Sequence, residues 1–268
     1  MKVALIGLGR WGQVLLKELK LQAEVKYECD SKTGLDPVFA DPEVQAIFIA
    51  TPTETHFDIA SKALGAGKHV FLEKPGTTSS TDLEKLLELA QSKNLKFAVG
   101  YEFTHHPAFK KLKELLVGKV ITQVIMDWQK WGTFKDNAVR HVLCHEVSIL
   151  EFLGLSDLTP LSHKKIKVIS ETDIIETEFK NVKSTINRVA PIKQKVLTIL
   201  TEDEGYIWSN NELFAINMES QVLDKIDLPL GTPVTLEITD FLSAIKENRE
   251  PQSNGSFALK IYKIIEQV

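Results

Sequence analysis

The chain has 268 residues, 43% hydrophobic and 25% charged, a composition that suits one large or two modest globular domains. Its net charge of −4 offers no general attraction to nucleic acid or to an anionic membrane surface, and no apolar run approaches a membrane span. Cys29 and Cys144 are its two cysteines, which excludes a disulfide framework and fits a reducing cytoplasm. The N-terminal apolar run stops at Gly7 with Arg10 following, so it does not read as a signal peptide.

Val3-Ala-Leu-Ile6 is a short unbroken apolar run, as expected of a central parallel strand buried on both faces. Gly7, Gly9 and Gly12 follow at G-x-G-x-x-G spacing, and residues 13–19 continue with helical periodicity. In that setting Gly7 makes the tight turn, Gly9 lets the backbone approach a pyrophosphate, and Gly12 packs helix closely on strand. The phosphates would meet the free N–H groups of the helix N-terminus. A second strand, Glu24–Cys29, ends at Asp30, eighteen positions after Gly12, where a carboxylate meets the ribose hydroxyls of NAD. That carboxylate would repel the 2′-phosphate of NADP, so NAD is the expected cofactor and NADP the alternative, with Ser31 and Lys32 softening the contrast.

Residues 31–44 are too short, and too rich in turn formers (Gly34, Pro37, Pro42), for a full helix and third strand. That strand is expected to be reduced or missing. Ala46–Ala50 is the next buried strand, ended by Thr51-Pro52, and a helix runs from about Thr55 to Leu64 before Gly65 and Gly67. His69–Leu72 is a strand leading into Glu73-Lys74-Pro75. Thr81 with Glu84 reads as a capping box for the next helix, and Lys96–Val99 closes the alternation. This pattern implies a parallel doubly wound sheet over residues 1–99. From Gly100 the rhythm changes. Helices are expected at Pro107–Val117, His141–Leu153, Leu236–Lys246 and Phe257–Gln267. Strands are expected at Val120–Trp128, Ile166–Ile169, Ile174–Phe179, Lys195–Leu200, Tyr206–Trp208 and Leu213–Ile216, with hairpin turns at Asp203-Glu-Gly205 and Asn210-Asn211. Residues 100–268 therefore read as a second, α+β domain with a largely antiparallel sheet.

Lys74 lies just past a parallel strand, where ligands bind in such sheets. A lysine held there polarises a carbonyl or stabilises an alkoxide; on position alone, a loop lysine in solvent is the preferred reading. His141 and His145 are four apart on an expected helix and share a face, which suits proton transfer or a buried hydrogen-bonded pair. Val142 stands where a zinc-peptidase helix needs Glu, and spacing supplies no third ligand, so no metal is expected. His105 and His106 precede Pro107, where they either touch substrate or start a helix.

The chain resembles the Gfo/Idh/MocA oxidoreductases. The resemblance is carried by Gly7-Leu-Gly-Arg-Trp-Gly12, Ala50-Thr-Pro-Thr-Glu-Thr-His56, Gly67-Lys-His-Val-Phe-Leu-Glu-Lys-Pro75 and Val99-Gly-Tyr101. It continues through Val142-Leu-Cys-His-Glu-Val-Ser-Ile-Leu150, Pro191-Ile-Lys193 and Leu236–Pro251, nearly the whole length. It implies a cytoplasmic NAD(P)-dependent dehydrogenase or reductase that moves hydride between nicotinamide and a carbinol or carbonyl carbon of a sugar, polyol or nucleotide-linked sugar. Lys74 would be the catalytic lysine and His145 the acid/base histidine, with His141 sharing its proton where the family commonly carries Asp. Cofactor contacts would come from Gly7, Gly9, Arg10, Trp11, Gly12, Asp30, Ser31, Thr51, Pro52, Thr53, His56, Glu73 and Lys74, and substrate contacts from Tyr101 and His105. The active site would lie between the domains, and a homo-oligomer would form through the C-terminal sheet. A non-catalytic cofactor-binding sensor and a C=C or C=N reductase are the alternatives.

Overall fold

β1 (Lys2–Ile6) is an interior strand of its sheet, with Val3, Ala4, Leu5 and Ile6 buried on both faces. The computed structural model describes residues 1–155, 157–217 and 219–268. After β1 come α1 (Arg10–Gln22), β2 (Glu24–Cys29), α2 (Asp36–Ala40), β3 (Ala46–Ile49), α3 (His56–Gly65), β4 (His69–Glu73), α4 (Ser80–Ser92) and β5 (Phe97–Gly100). The strands pair in the order β2-β1-β3-β4-β5, all parallel, which is the doubly wound sheet expected from sequence.

Among the described residues no strand stands between β2 and β3, as the shortened segment implied; the five-residue α2 is there instead. β2 is therefore an edge strand. Its edge is covered by charge: Lys26 pairs with Asp41 at 2.7 Å and with Glu43, and the Tyr27 hydroxyl donates to Asp41 at 2.9 Å. The cap of α4 differs from expectation. Ser79, in extended backbone, accepts the Asp82 N–H, whereas Thr81 is already inside the helix.

The second stretch holds α5 (Pro107–Leu115), β6 (Ile121–Trp131), a π turn at Val139–Leu143 and α6 (Cys144–Phe152). It continues with β7 (Ser162–Ile166), β8 (Ile174–Phe179), β9 (Val182–Asn187), β10 (Val189–Thr201), β11 (Gly205–Ser209), β12 (Glu212–Asn217) and β13 (Val222–Ile226). These form one sheet, β13-β12-β11-β10-β6-β9-β8-β7, antiparallel except where β6 pairs with β9. Asn210 and Asn211 both take positive φ, +49° and +67°, and make the expected hairpin turn between β11 and β12. The strand expected at Ile166–Ile169 lies earlier. The N–H groups of Val168, Ile169 and Ser170 turn to the Asp173 carboxylate and so leave the ladder after Ile166. β9 and β13 were not expected; β9 alternates Val182, Ser184 and Ile186 on its buried side, and β13 is mostly exposed.

The chain then returns. Residues Met1–His105 and Thr232–Lys263 form one compact unit, and His106–Gly231 with Ile264–Val268 the other. This differs from the boundary drawn at residue 99, which gave α7 (Pro233–Glu247) and α8 (Gly255–Ile265) to the second domain. An amphipathic helix carries no address for its apolar face, and here Val234, Ile238, Phe241 and Leu242 bury it in the core of the parallel sheet, with Val3, Leu5, Phe48 and Phe71. The Phe241 ring lies 5.5 Å from both Phe48 and Phe71, which are 5.1 Å from each other. Phe241→Ala is expected to cost the first unit about 3–5 kcal/mol. Urea unfolding followed through Trp11 emission, with the other tryptophans replaced by Phe, measures it; a loss under about 1 kcal/mol would remove α7 from this core.

Candidate functional site

The glycine turn after β1 has the space a dinucleotide needs. Gly7 takes φ +103°, and a Cβ there would lie 2.5 Å from the Ala50 carbonyl oxygen; one at Gly12 would lie 1.9 Å from the Gly7 oxygen. At Gly9 a Cβ would meet nothing within 4 Å. Gly9 is also the N-cap of α1 and gives the first turn no side-chain cap, so its N–H groups border open space suited to a pyrophosphate. Arg10 and Trp11 open that helix and are exposed. Asp30 follows β2, its Oδ1 accepting the Thr33 hydroxyl at 2.8 Å and the Lys32 N–H at 2.9 Å. The Thr33 hydroxyl, then the Lys32 amide, hold this carboxyl below its ordinary range and therefore ionised. Ser31 is exposed beside it. Thr51, Pro52 and Thr53 lie past β3, with Thr51 Oγ1 accepting the Thr55 hydroxyl at 2.8 Å. These residues fit NAD.

The end of β4 is bonded to the glycine turn. The Trp11 indole N–H donates to the buried carboxyl of Glu73, which burial pushes up to about 7. Lys74 is next, half-buried, and the peptide to Pro75 is cis. His56, expected on the cofactor, is buried with Nδ1 2.7 Å from the Gly76 oxygen and Nε2 2.8 Å from the Thr51 oxygen. Its ring ties together the loops after β3 and β4. Burial lowers its proton affinity, so the neutral ring donates to one of the two carbonyls. Tyr101 is buried against Phe257. His105 is interior too, Nε2 3.4 Å from Asp240 and Nδ1 3.1 Å from the Thr104 hydroxyl. The helix-entry role falls to His106, whose Nδ1 accepts the Ala108 N–H.

One buried acid escaped sequence reading. Glu237, on α7, lies 4.0 Å from His105 Nδ1, and among the described residues no hydrogen bond reaches its Oε1. Burial first, then the charges of Glu73, Glu102 and Asp240, keep it protonated. Its signal was a glutamate within the apolar stripe of α7, beside Ile238 and one turn before Phe241.

The second unit carries the two histidines. The regular helix expected from His141 opens instead with the π turn, in which the Cys144 N–H reaches back to the Val139 oxygen. His141 sits in that turn, and His145 in the first turn of α6. The His145 imidazole stacks on Trp128 of β6 with ring centres 6.1 Å apart and planes at 29°. Lys195 of β10 places its Nζ 4.3 Å from the centre of the same indole. Glu146 is fully buried: the Ser184 hydroxyl donates to Oε2, and among the described residues no hydrogen bond reaches Oε1. Burial pushes Glu146 up to about 8. Trp128, Lys195 and Glu146 were missed because each falls in an ordinary strand or helix pattern. Cys29 and Cys144 are free and buried. Among the described residues no group of three His, Cys, Asp or Glu could hold a metal ion.

Residues 17–101 match the profile of the oxidoreductase family with an NAD-binding Rossmann fold. A UDP-N-acetylglucosamine 3-dehydrogenase from Acidithiobacillus ferrooxidans is 24% identical over 95% of this chain and 92% of its own. Its solved structure matches with a TM-score of 0.90 at 21% identity, covering 100% of this chain and 96% of that one. A dTDP-3,4-didehydro-2,6-dideoxy-alpha-D-glucose 3-reductase from Saccharopolyspora spinosa is 35% identical over 34% of this chain and 27% of its own. The structure of a 3-ketoreductase from Actinomadura kijaniata in complex with TDP-benzene and NADP matches with a TM-score of 0.86 at 15% identity, covering 100% and 96%. The class so defined is an oxidoreductase with an NAD-binding Rossmann unit joined to a mostly antiparallel α/β unit. Within that class, residues 17–101 match the Gfo/Idh/MocA family model, and the full-length relative resembles the chain at 24% identity. Among the described residues no helix is long and apolar enough to cross a membrane.

Glu73 and Glu146 both hold their protons far above the ordinary value of 4.5. The folded state then binds protons that the unfolded chain releases, so their stabilisation is complete below pH 4.5 and is lost as pH rises through about 7 and about 8. Unfolding free energy is expected to fall across that window by up to about 1.4 kcal/mol per pH unit for each carboxyl. Glu146→Gln should remove one such share from the slope. Urea titrations from pH 5 to 8 check this, and an unchanged slope would show Glu146 ionised in the fold.

Proposed function

We propose that the chain is an NAD-dependent dehydrogenase acting on a secondary alcohol of a nucleotide-linked sugar, with Lys74 and His145 as its catalytic residues. The observation that carries the reading is the hydrogen bond from Trp11 to Glu73, which couples the glycine turn to the Glu-Lys-Pro turn and so ties Lys74 to the cofactor-binding element. The named activities of the full-length relative and of the dTDP-sugar reductase that matches 34% of this chain support the substrate class.

Bound NAD supplies the hydride acceptor. The N–H groups at the start of α1, beside Gly9, hold the pyrophosphate, and Asp30 accepts the ribose hydroxyls. The Lys74 ammonium donates to the substrate oxygen and gains interaction as negative charge grows there, which lowers the barrier because the contact is stronger in the transition state. Neutral His145 takes the hydroxyl proton, and in the reverse direction returns it. His141 shares that proton as the second imidazole of the pair. Intact Lys74 and His145 favour an enzyme over a cofactor-binding sensor.

Lys74→Ala is expected to cut kcat about 10² to 10³-fold while the NADH dissociation constant stays within about twofold. His145→Asn should abolish most turnover without unfolding the protein. Oxidation of UDP- and dTDP-linked sugars, followed by NADH absorbance, is the assay. Near-normal rates in both variants would overturn the assignment, and failure of the wild-type chain on every such sugar would overturn the substrate class. Asp30→Ala should improve the NADPH-to-NADH affinity ratio about tenfold by removing the like charge. An unchanged ratio in fluorescence titrations would place the ribose elsewhere.

A further inference from the structure

Trp128 is the last of three residues, with Val124 and Met126, that point to the buried side of β6. His145, in α6, stacks on this indole. In the antiparallel ladder Lys195 stands directly opposite Trp128, so both side chains leave the same face of the sheet. The 4.3 Å between its Nζ and the ring centre is within cation–π range. One indole therefore meets an ammonium and an imidazole together. A neutral imidazole is compatible with that neighbour; an imidazolium would bring a second cation to one π system.

We propose that Trp128 and Lys195 are positioning residues for His145: the indole fixes the plane of the imidazole, and the ammonium over the same indole disfavours a second cation and keeps His145 in its neutral, proton-accepting form. The inference rests on His145 as the proton acceptor of the dehydrogenase reading. It gives a physical reason for a lysine in the middle of β10. Other titratable groups around α6 are Asp127 of β6, Glu146 and Glu151 of α6 itself, Arg140 and His141 of the π turn, and Lys113 of α5, whose Nζ lies 4.3 Å from the Phe152 ring centre. Asp127 is engaged by the Gln129 side-chain amide at 2.8 Å and 3.0 Å. Glu146 keeps its proton near neutral pH. Asp127 and Lys195 both act on Glu146, in opposite senses, and Lys195 is the one whose charge lies over the Trp128 indole.

The test is a histidine titration by NMR on the full chain, without cofactor or substrate, the His145 signal being the one lost in His145→Asn. Lys195→Met is expected to raise the midpoint by about half to one pH unit, and Lys195→Arg to leave it within about 0.2 units. In a Trp128→Leu background the Lys195→Met shift should fall below half its size, because the shared ring is gone. Should that background fail to fold, Trp128→Phe takes its place, with a weaker π face and a smaller shift. In Lys195→Met assays the acidic limb of kcat should move with the NMR midpoint, at unchanged KM for NAD. A midpoint that does not move in Lys195→Met, or a full-sized shift without the indole, overturns the proposal. A wild-type chain with no turnover on any sugar substrate would sink the dehydrogenase reading alone, since the titration needs no turnover.

Discussion

The packing of Phe241 between Phe48 and Phe71 is the contact on which the first unit depends. Phe48 and Phe71 are central residues of β3 and β4, the strands whose ends carry Thr51 and Glu73-Lys74. Fixing the two strand bodies against one helix fixes the separation of their ends. The His56 ring then links those ends through the Thr51 and Gly76 carbonyls. A residue 167 positions after Lys74 in the chain thereby helps to hold the turn that carries it. The candidate chemistry sits on loops, as usual, but the loops are fastened from below by aromatic packing and from the side by an imidazole.

The same helix brings acids beneath that turn, and burial sorts them by partner. Asp240 has the His105 ring, the Gln252 N–H and the Arg249 guanidinium, and these hold its carboxylate ionised although burial opposes it. Glu237 has burial and three acidic neighbours, and stays protonated. Glu73 lies between these cases: the Trp11 N–H stabilises its carboxylate and burial opposes it. Two ionised acids at Glu73 and Glu237 would repel in a poorly solvated interior, so a neutral Glu237 allows Glu73 to take the indole bond as a carboxylate.

What was legible in the sequence was whatever local pattern alone determines. Gly7, Gly9 and Gly12 declare their turn because no other residue fits at two of them, and Asp30 follows from the length of one β-α-β unit. The missing third strand was legible as missing length. Less legible was anything decided by distant contacts. α7 has the same stripe whichever sheet it covers, β9 carries Ser184 where an apolar residue would have announced it, and the π turn before His145 leaves no periodic mark. The inward turn of His56 and His105 was hidden for the same reason: a histidine motif names a position, and the carbonyls or acids that claim its ring come from elsewhere in the chain.

The loss of the third strand has a consequence for how the first unit holds a nucleotide. A full mononucleotide half would flank β2 with another strand and its helix, adding apolar wall on the adenosine side. Here β2 is the edge, and Lys26, Asp41, Tyr27 and Glu43 close it with polar and charged contacts that supply no apolar surface. Binding energy that adenine would draw from a wall must come instead from the N–H groups at the start of α1 and from Asp30. On the proposed function those contacts would hold the pyrophosphate and ribose, beside the turn that Glu73 and Trp11 bind together. On that reading a short connection would shift recognition toward the centre of the dinucleotide, beside Gly9 and Trp11 at the start of α1.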